Sequence, residues 1–376
     1  MLTDDVLDIT GFSLEPDEEL ALNTGIVTNI DVVNRYEAES TFRFIDGTAS
    51  SDASLSNIII SSGIENIEDP TLSTYKEYEL IPTFSNEELN YEIEILEYID
   101  LVNLKLELSD ENASVKLKVP KRDEENNLIY DEDGITILYE EKEVDVLGNT
   151  EIILNKLGEQ DTEIIIEVTA EDGVTVKEYT VKIRKPYGII KGKSILADFD
   201  NESIVNNYFE IYGVEINNQS TVNIYNKDKV EWKKILNIYS GELLTYEEIE
   251  SIEKVTSSKT DLDGTFEIYV IPGEYDIQVT RLAYLDYVYD NVIINENDVI
   301  DMGIVNLKAG DIDRNGVIAG EDVKLVKSVM GMENTDSEFK ENWNPTQIGA
   351  VIGEDLKYVK QNMDEIFHIE YFQINN

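Results

Sequence analysis

Hydrophobic and polar residues alternate along several short stretches of the chain, and a period of two is typical of half-buried β-strands. The clearest stretch is Tyr179–Arg184, which follows a second strand-like run at Glu163–Thr169. The Asp172-Gly173 pair between them is a strong hairpin signal. A β-rich domain is therefore predicted over residues 52–186. The inward-facing residues of its last strand are predicted to be Tyr179, Val181 and Ile183.

Residues 187–308 predict a second β-rich domain. Its two best strands flank Pro272-Gly273, with one apolar face formed by Phe266, Ile268 and Val270 and another by Tyr275, Ile277 and Val279. An insertion at residues 231–255 predicts a short helix packed on this domain. Thr245 and Glu248 fit a capping box, and Ile249, Ile252 and Val255 repeat at helical spacing.

The two ends of the chain are harder to interpret. In residues 1–51, the runs Ile26–Val33 and Thr41–Ile45 predict strands, which belong either to a preceding module or to an extension of the next one. The segment His368–Asn376 carries three apolar residues that we expect to pack on the helices before it or on the second β-rich domain. These residues are Ile369, Tyr371 and Phe372.

Residues 311–322 have the spacing of a calcium-binding loop. Calcium takes six to eight oxygen ligands, and EF-hand loops supply them from positions 1, 3, 5, 7 and 12, with glycine at position 6 for the sharp turn. Gly316 occupies position 6, and Ile318 at position 8 is expected to pair with a second loop. The predicted ligands are Asp311, Asp313, Asn315, the carbonyl of Val317, and Asp322.

A second copy of this unit follows. Gly320–Lys327 recurs 33 residues later as Gly353–Lys360, and such a long internal match indicates a structural repeat. Aligned on this match, the second loop offers Asn344, Thr346 and Asp355 as ligands but has Ile348 at position 5. We therefore expect the second loop to bind calcium weakly or not at all. Packing of Gly349, Val351 and Trp343 would then keep its shape.

A calcium loop that ends in aspartate, is followed but not preceded by a helix, and is duplicated resembles the dockerin family. The resemblance implies calcium-dependent binding to a cohesin module. Many dockerins carry a hydroxyl pair where this chain has Gly320-Glu321. The lysines of the two helices are either partner contacts or a solvated face. The implied partner-binding residues are Gly320, Glu321, Lys324, Lys327, Ser328, Gly353, Glu354, Lys357, Lys360 and Gln361.

The two β-rich domains also carry resemblances. The hairpin from Val168 to Val181 resembles the end of cadherin-like β-sandwich modules. The pattern from Thr260 to Tyr275 is similar to the carboxypeptidase regulatory-like sandwich. A sandwich fused directly to a dockerin is similar to the X-module–dockerin pair of cellulosomal proteins. The acidic insertion Lys121–Gly134 is either a second calcium site or a solvated loop. The loop is favoured because its carboxylates lack calcium-loop spacing.

Composition narrows the function. The chain has 30 basic and 79 acidic residues and a net charge of -49, which argues against nucleic acid or an anionic membrane as partner. With no cysteine and one histidine, His368, a zinc site is nearly excluded. No nucleophile, phosphate-loop or dinucleotide motif occurs, so no enzyme is predicted. No signal peptide or apolar stretch long enough to span a membrane is visible.

The sequence thus predicts a multidomain, mostly β protein: two β-sandwich modules followed by a small α-helical dockerin with EF-hand-like calcium loops. The domains are expected at 1–51 (a β remnant or extension), 52–186, 187–308 and 309–376. The predicted function is a non-catalytic, extracellular docking segment that binds cohesin through Ca²⁺ and attaches a polysaccharide-degrading or surface protein to a cellulosome-like assembly. The alternatives are a calcium-rigidified stalk or adhesin, and the C-terminal part of a glycoside hydrolase whose catalytic domain lies outside this chain.

Overall fold

The computed structural model describes residues 49–63, 75–144, 148–199, 210–211, 217–232 and 246–371, with the short strands Ala21–Leu22 (β1) and Gly25–Ile26 (β2). Apart from Ile26, the strands expected in residues 1–51 lie outside the described residues. The protein is mostly β and divides into two compact units. The first is formed by the described parts of 1–92, 102–152 and 163–182, and the second by those of 93–101, 153–162 and 183–376.

A first β-sandwich is built from two antiparallel sheets, with strand orders β4-β3-β6-β9 and β5-β11-β10-β7-β8. The Tyr179 hydroxyl accepts a hydrogen bond from the Leu55 backbone N–H at 3.1 Å, which joins the two sheets through their shared interior. The strands are β3 (Leu55–Ser62), β4 (Lys76–Tyr78), β5 (Asn90–Glu94), β6 (Leu101–Leu108), β7 (Ser114–Pro120), β8 (Tyr139–Lys142), β9 (Thr150–Ile153), β10 (Thr162–Thr169) and β11 (Val176–Arg184).

The alternation predicted for β11 is confirmed, because Tyr179, Val181 and Ile183 are all buried. The Asp172-Gly173 hairpin is present, and the Asp172 carboxylate accepts the N–H groups of the two residues that follow the glycine. The acidic insertion contains similar turns. Asp123 and Asp133 each accept backbone N–H groups of their own turns, as a solvated loop requires.

The second unit contains another sandwich, with sheets β15-β12-β19 and β14-β13-β16-β18-β21, and a small sheet β17-β20. Among the described residues, no helix is long and apolar enough to cross a membrane. The elements are β12 (Gly188–Leu196), β13 (Thr221–Asn226), α1 (Tyr246–Ser251), β14 (Thr256–Lys259), β15 (Thr265–Val270), β16 (Gly273–Thr280), β17 (Ala283–Tyr284), β18 (Tyr287–Ile294), β19 (Val299–Leu307), β20 (Ala309–Asp311), α2 (Gly320–Ser328), α3 (Gly353–Gln361) and β21 (His368–Tyr371).

One hydrophobic core runs from this sandwich into the loop–helix repeats. The predicted inward faces of β15 and β16 are buried in it, together with Val326 of α2 and Val359 of α3. The predicted helix in the insertion is present as α1, and its Ile249 is buried against Trp232 and Tyr225. The helical face was predicted too long. Ile252 and Val255 both lie beyond the end of α1, and the Val255 N–H bonds the Ile224 carbonyl as the chain enters β14.

The C-terminal segment returns to the sandwich, as predicted for its described part. Strand β21 pairs in parallel with β18, from Tyr287↔His368 onward. The Phe367 ring, which is buried, stacks on Trp232 with 6.0 Å between ring centroids. The side chain of Tyr371 and residues 372–376 lie outside the described residues.

The buried Phe367 should stabilise the second unit strongly. Replacing it with alanine (Phe367→Ala) removes a buried ring and leaves a cavity, so the free energy of unfolding should fall by about 3–5 kcal/mol. The neighbouring Ile366→Ala is the matched control, because its side chain is 54% exposed and its removal should cost less than about 0.5 kcal/mol. Urea unfolding followed by tryptophan fluorescence measures both, and equal losses would show that the tail does not anchor this unit.

Candidate metal centre

Strand β20 holds the first residue of the predicted calcium loop against the sandwich. Asp311 pairs with Ala283 of β17, and the Asp311 side chain is fully buried. The preceding Gly310 has φ +132°, and a Cβ atom there would lie 3.0 Å from both Val359 Cα and Ile318 Cγ2. Only glycine allows so close an approach of α3 to the start of the loop.

The carboxylate of Asp322 closes the loop at its other end. Its Oδ1 accepts the backbone N–H groups of Ile312 and Asp313 at 2.8 and 3.1 Å. Its Oδ2 accepts the N–H of Ala319 at 2.7 Å and so caps the start of α2. One side chain therefore sets both the curvature of the loop and the origin of the helix that follows it.

The predicted carboxylate ligands converge. One oxygen from each of Asp311, Asp313 and Asp322 lies within 4.8 Å of the other two, and no other such acidic group occurs in the described part of the chain. Asn315 lies beside them and donates from Nδ2 to Asp313 Oδ2 at 3.0 Å. Val317 forms an isolated bridge with Ile366. The three carboxylates are thus brought together, whereas the Asn315 Oδ1 atom accepts the Val317 N–H at 2.9 Å.

The electrostatics of this cluster favour a bound cation. Two unit charges 4.8 Å apart repel by about 3.5 kcal/mol at an effective dielectric constant of about 20. Burial, with the charges of Asp286 and Asp322, raises the pKa of Asp311 well above its ordinary value. Burial and the charge of Asp322 raise the pKa of Asp313 to about 6. Hard oxygen donors with unfavourable mutual repulsion fit Ca²⁺.

The second loop has the same backbone shape with a different interior. Asp355 accepts the N–H groups of Thr346 and Ile352 at 3.0 and 2.7 Å, as Asp322 does in the first loop. The Thr346 hydroxyl lies 2.8 Å from Asp355 Oδ1 and 2.9 Å from Asn344 Oδ1. The Thr346 hydroxyl thus lies between these two oxygens and donates its single proton to one of them at a time, and Ile348 packs against the core.

The pairing between the repeats differs from the expectation for Ile318. Its N–H bonds the Glu365 carbonyl, and its carbonyl accepts from Asp364, both at 2.9 Å. In the second loop, Val351 makes the equivalent bonds with Gly331 and Met332 at 2.8 Å. Each loop therefore pairs with the segment after the other copy's helix, and the predicted loop-to-loop pairing is wrong. This exchange is symmetric, because Val351, Asp364 and Glu365 lie 33 residues after Ile318, Gly331 and Met332, respectively.

The predicted partner-binding residues all lie on or beside the two helices. Most are exposed; Gly320 and Glu354 are half-buried. Lys324 forms an ion pair with Glu321 at 3.2 Å, one turn back on the same helix. Gln361 instead reaches the sandwich, donating from Nε2 to Asp198 Oδ1 at 3.3 Å.

Sequence reasoning missed the residues that attach the repeats to the sandwich. The Asn362 amide donates to Asp198 Oδ2 at 2.9 Å and to the Ala309 carbonyl at 2.8 Å. On the other side, Arg314 of the first loop pairs with Glu250 of α1 at 2.6 Å. The Arg314–Glu250 pair carries no sequence motif, and the polar residues at 198 and 362 read as surface positions.

One region of the chain matches a model of a known protein family. Residues 60–186 match the family model described as a cadherin-like beta sandwich domain. This region is similar to a cadherin-like β-sandwich. The match confirms the interpretation of the first sandwich, and it covers about a third of the chain. No curated protein matches the sequence.

Several solved structures are similar to parts of the chain. A chain of a type II Cohesin-X-Dockerin complex from Acetivibrio cellulolyticus, an N-terminal interface mutant, is 19% identical and has a TM-score of 0.31; the match covers 48% of this chain and 97% of that one. BcpA, the major pilin subunit of Bacillus cereus, is 11% identical with a TM-score of 0.26, over 65% of this chain and 77% of that one. Both TM-scores lie below 0.5.

Calorimetric titration with Ca²⁺ tests the two loops separately. We expect one calcium ion per chain, because among the described residues only the first loop gathers three carboxylates. Asp322→Asn should weaken binding at least about tenfold, since it removes a charged ligand and a loop-closing acceptor. Asp355→Asn, the matched change in the second loop, should leave calcium affinity unchanged. Two equally tight sites per chain would contradict this assignment.

Proposed function

We propose that this chain is a non-catalytic docking segment whose duplicated loop–helix repeat binds a cohesin module in a calcium-dependent way. The observation that carries the proposal is the convergence of Asp311, Asp313 and Asp322 at the base of α2. Calcium bound there stabilises the loop and the helix origin together, because Asp322 belongs to both. The resemblance to dockerins supplies the partner class.

The symmetric exchange of backbone bonds between the two repeats supports this proposal. Ile318 and Val351 bind the segments after the opposite helices, so neither repeat forms its short pairing alone. Val326 and Val359, at equivalent positions of α2 and α3, are both buried in the same core. The duplication therefore builds one rigid unit with two exposed helical faces, which suits recognition of a folded partner.

On this proposal the chain works outside the cell, attached to an assembly through its partner. Extracellular calcium would keep the first loop filled, and binding to the folded state stabilises that state by mass action, by about 4 kcal/mol at a thousandfold excess over Kd. The cadherin-like sandwich suits a surface or spacer module. The one histidine, His368, lies against Tyr287 in a tilted arrangement with 4.3 Å between ring centroids.

A stalk or adhesin rigidified by calcium is the second candidate, and the attachment of the first loop to its sandwich favours it. Asp311 is paired in the β17-β20 sheet, and Arg314 bonds α1. Calcium would then stiffen the junction between loop and sandwich without recruiting a partner. The two candidates differ in whether a cohesin module is bound.

Retention on immobilised cohesin modules separates them. The full chain should be retained by at least one module in the presence of Ca²⁺ and released by chelator, and Asp311→Asn should not be retained. Asp133→Asn in the exposed acidic insertion is the control and should bind like the unmodified chain. If no cohesin in a broad panel retains the chain while Ca²⁺ still raises its Tm, the stalk interpretation is favoured.

Charge reversal of the helical lysines tests whether the helices contact the cohesin module. Reversing the charge of Lys327 and Lys360 together should weaken the cohesin complex at least about tenfold, because both side chains are exposed at equivalent places on α2 and α3. Surface plasmon resonance measures the change. Unchanged affinity would remove both lysines from the contact surface and leave them as a solvated face.

A further inference from the structure

The outer face of the five-stranded sheet in the second unit is polar, although part of it is buried. In β13, Val222 and Ile224 belong to the hydrophobic core. The alternate residues Thr221, Asn223 and Tyr225 therefore lie on the opposite face of the sheet. Asn223 and Tyr225 are nevertheless buried. A buried polar face is informative, because polar side chains on the outside of a sandwich are ordinarily left in water.

Strand β16 extends this polar face. The same alternation places Gln278 and Thr280 on it. The register puts Gln278 opposite Asn223 and Thr280 opposite Thr221. Gln278 is buried, and the two threonines are half-buried. Two rows of uncharged hydrogen-bonding side chains therefore lie side by side.

Hydrogen bonds hold the two amides of this face in one orientation. Asn223 Nδ2 donates to Gln278 Oε1 at 2.9 Å, and the Tyr225 hydroxyl lies 3.1 Å from the same oxygen. The Ser257 hydroxyl donates to Asn223 Oδ1 at 2.7 Å, and Gln278 Nε2 donates to Asp286 Oδ2. Each amide nitrogen carries a second N–H, so the face keeps donors in fixed positions once this network has formed.

A cavity of about 370 Å³ opens over this face, which is within the size range of small-molecule sites. Three cationic side chains also line it: Lys254, Arg281 and Arg314. Arg314 is paired with Glu250 at 2.6 Å. The cavity thus combines an uncharged polar floor with positive charge beside it, in a chain whose net charge is -49.

Arg281 is the cation best suited to bind an anion. Its Nη1 atom donates to the carbonyls of Asn217, at 3.2 Å, and Gln219. Its guanidinium lies over the Tyr284 ring, 5.7 Å from the centroid. All of its hydrogen bonds to the described residues go to neutral acceptors. A partly buried guanidinium held only by neutral groups gains from a carboxylate, which it binds through two parallel N–H groups.

We infer that this cavity binds a small carboxylated polyol of the size of a hexuronate. The carboxylate contacts Arg281. The hydroxyl groups contact the uncharged face formed by Asn223, Gln278 and Thr280, where amides and a hydroxyl offer both donors and acceptors. This binding requires no cohesin module, so it is independent of the proposed function.

Calorimetric titration of the full chain in Ca²⁺ with sodium glucuronate and sodium galacturonate tests the ligand class. We expect at least one of them to bind at a single site with a Kd of about 1 mM or below. Glucose and acetate should each bind at least about tenfold more weakly, because each offers only one part of the contacts. Absence of binding by both uronates, or binding no tighter than that of glucose or acetate, would overturn the inference.

Three variants test the position of the site. Arg281→Gln should weaken uronate binding at least about tenfold, because it removes the charged donor pair. Thr280→Val keeps the side-chain volume but removes a hydroxyl, and should weaken binding about threefold. Lys193→Gln, which removes a positive charge from β12 in the other sheet, is the control and should leave affinity unchanged.

Circular dichroism and Tm show whether each variant is folded. Because Arg281 also bonds the backbone, Thr280→Val keeps the test decisive if Arg281→Gln lowers the Tm. Uronate binding that survives unchanged in the folded variants at 280 and 281, or that is lost equally in Lys193→Gln, would overturn the assignment to this cavity.

Discussion

The C-terminal half of this structure depends on the hydrogen bonds that the Asp322 carboxylate accepts. Its two oxygens accept three backbone N–H groups that lie on both sides of the loop, so the loop closes and α2 starts at the same side chain. The cost of this arrangement is the burial of negative charge next to Asp311 and Asp313. A divalent cation bound there would offset the repulsion, because it attracts all three carboxylates at once.

The second loop shows the other solution to the same problem. Asp355 is as buried as Asp322 and accepts equivalent backbone donors, but its neighbour is a threonine hydroxyl in place of a carboxylate. Hydrogen bonding then satisfies the buried oxygens without a cation. Equivalent backbone bonds thus close both loops, although the first loop has an aspartate at its third position and the second loop has a threonine there.

The sandwich and the repeats share one core, and this has consequences for both. Strand β20 and the bonds of Ile318 to residues 364 and 365 connect the first loop to the sandwich and to the C-terminal segment. Phe367 then carries that segment into the cluster around Trp232. The helices consequently have a set orientation on the sandwich. In that orientation Asn362, which follows α3, is buried, whereas the equivalent Val329 after α2 is only half-buried.

Features that depend on local spacing follow directly from the order of the amino acids. Alternation defined β11, the Asp172-Gly173 turn joined it to β10, and the positions of Asp311, Asp313 and Asp322 predicted their convergence, because one loop's own backbone brings them together. Only the tertiary structure decided the contacts between distant segments. The partners of Ile318, the parallel pairing of β21 and the Asp198–Asn362 bond join residues far apart in the chain. Local patterns show that such groups need partners, but the packed core selects which ones they meet.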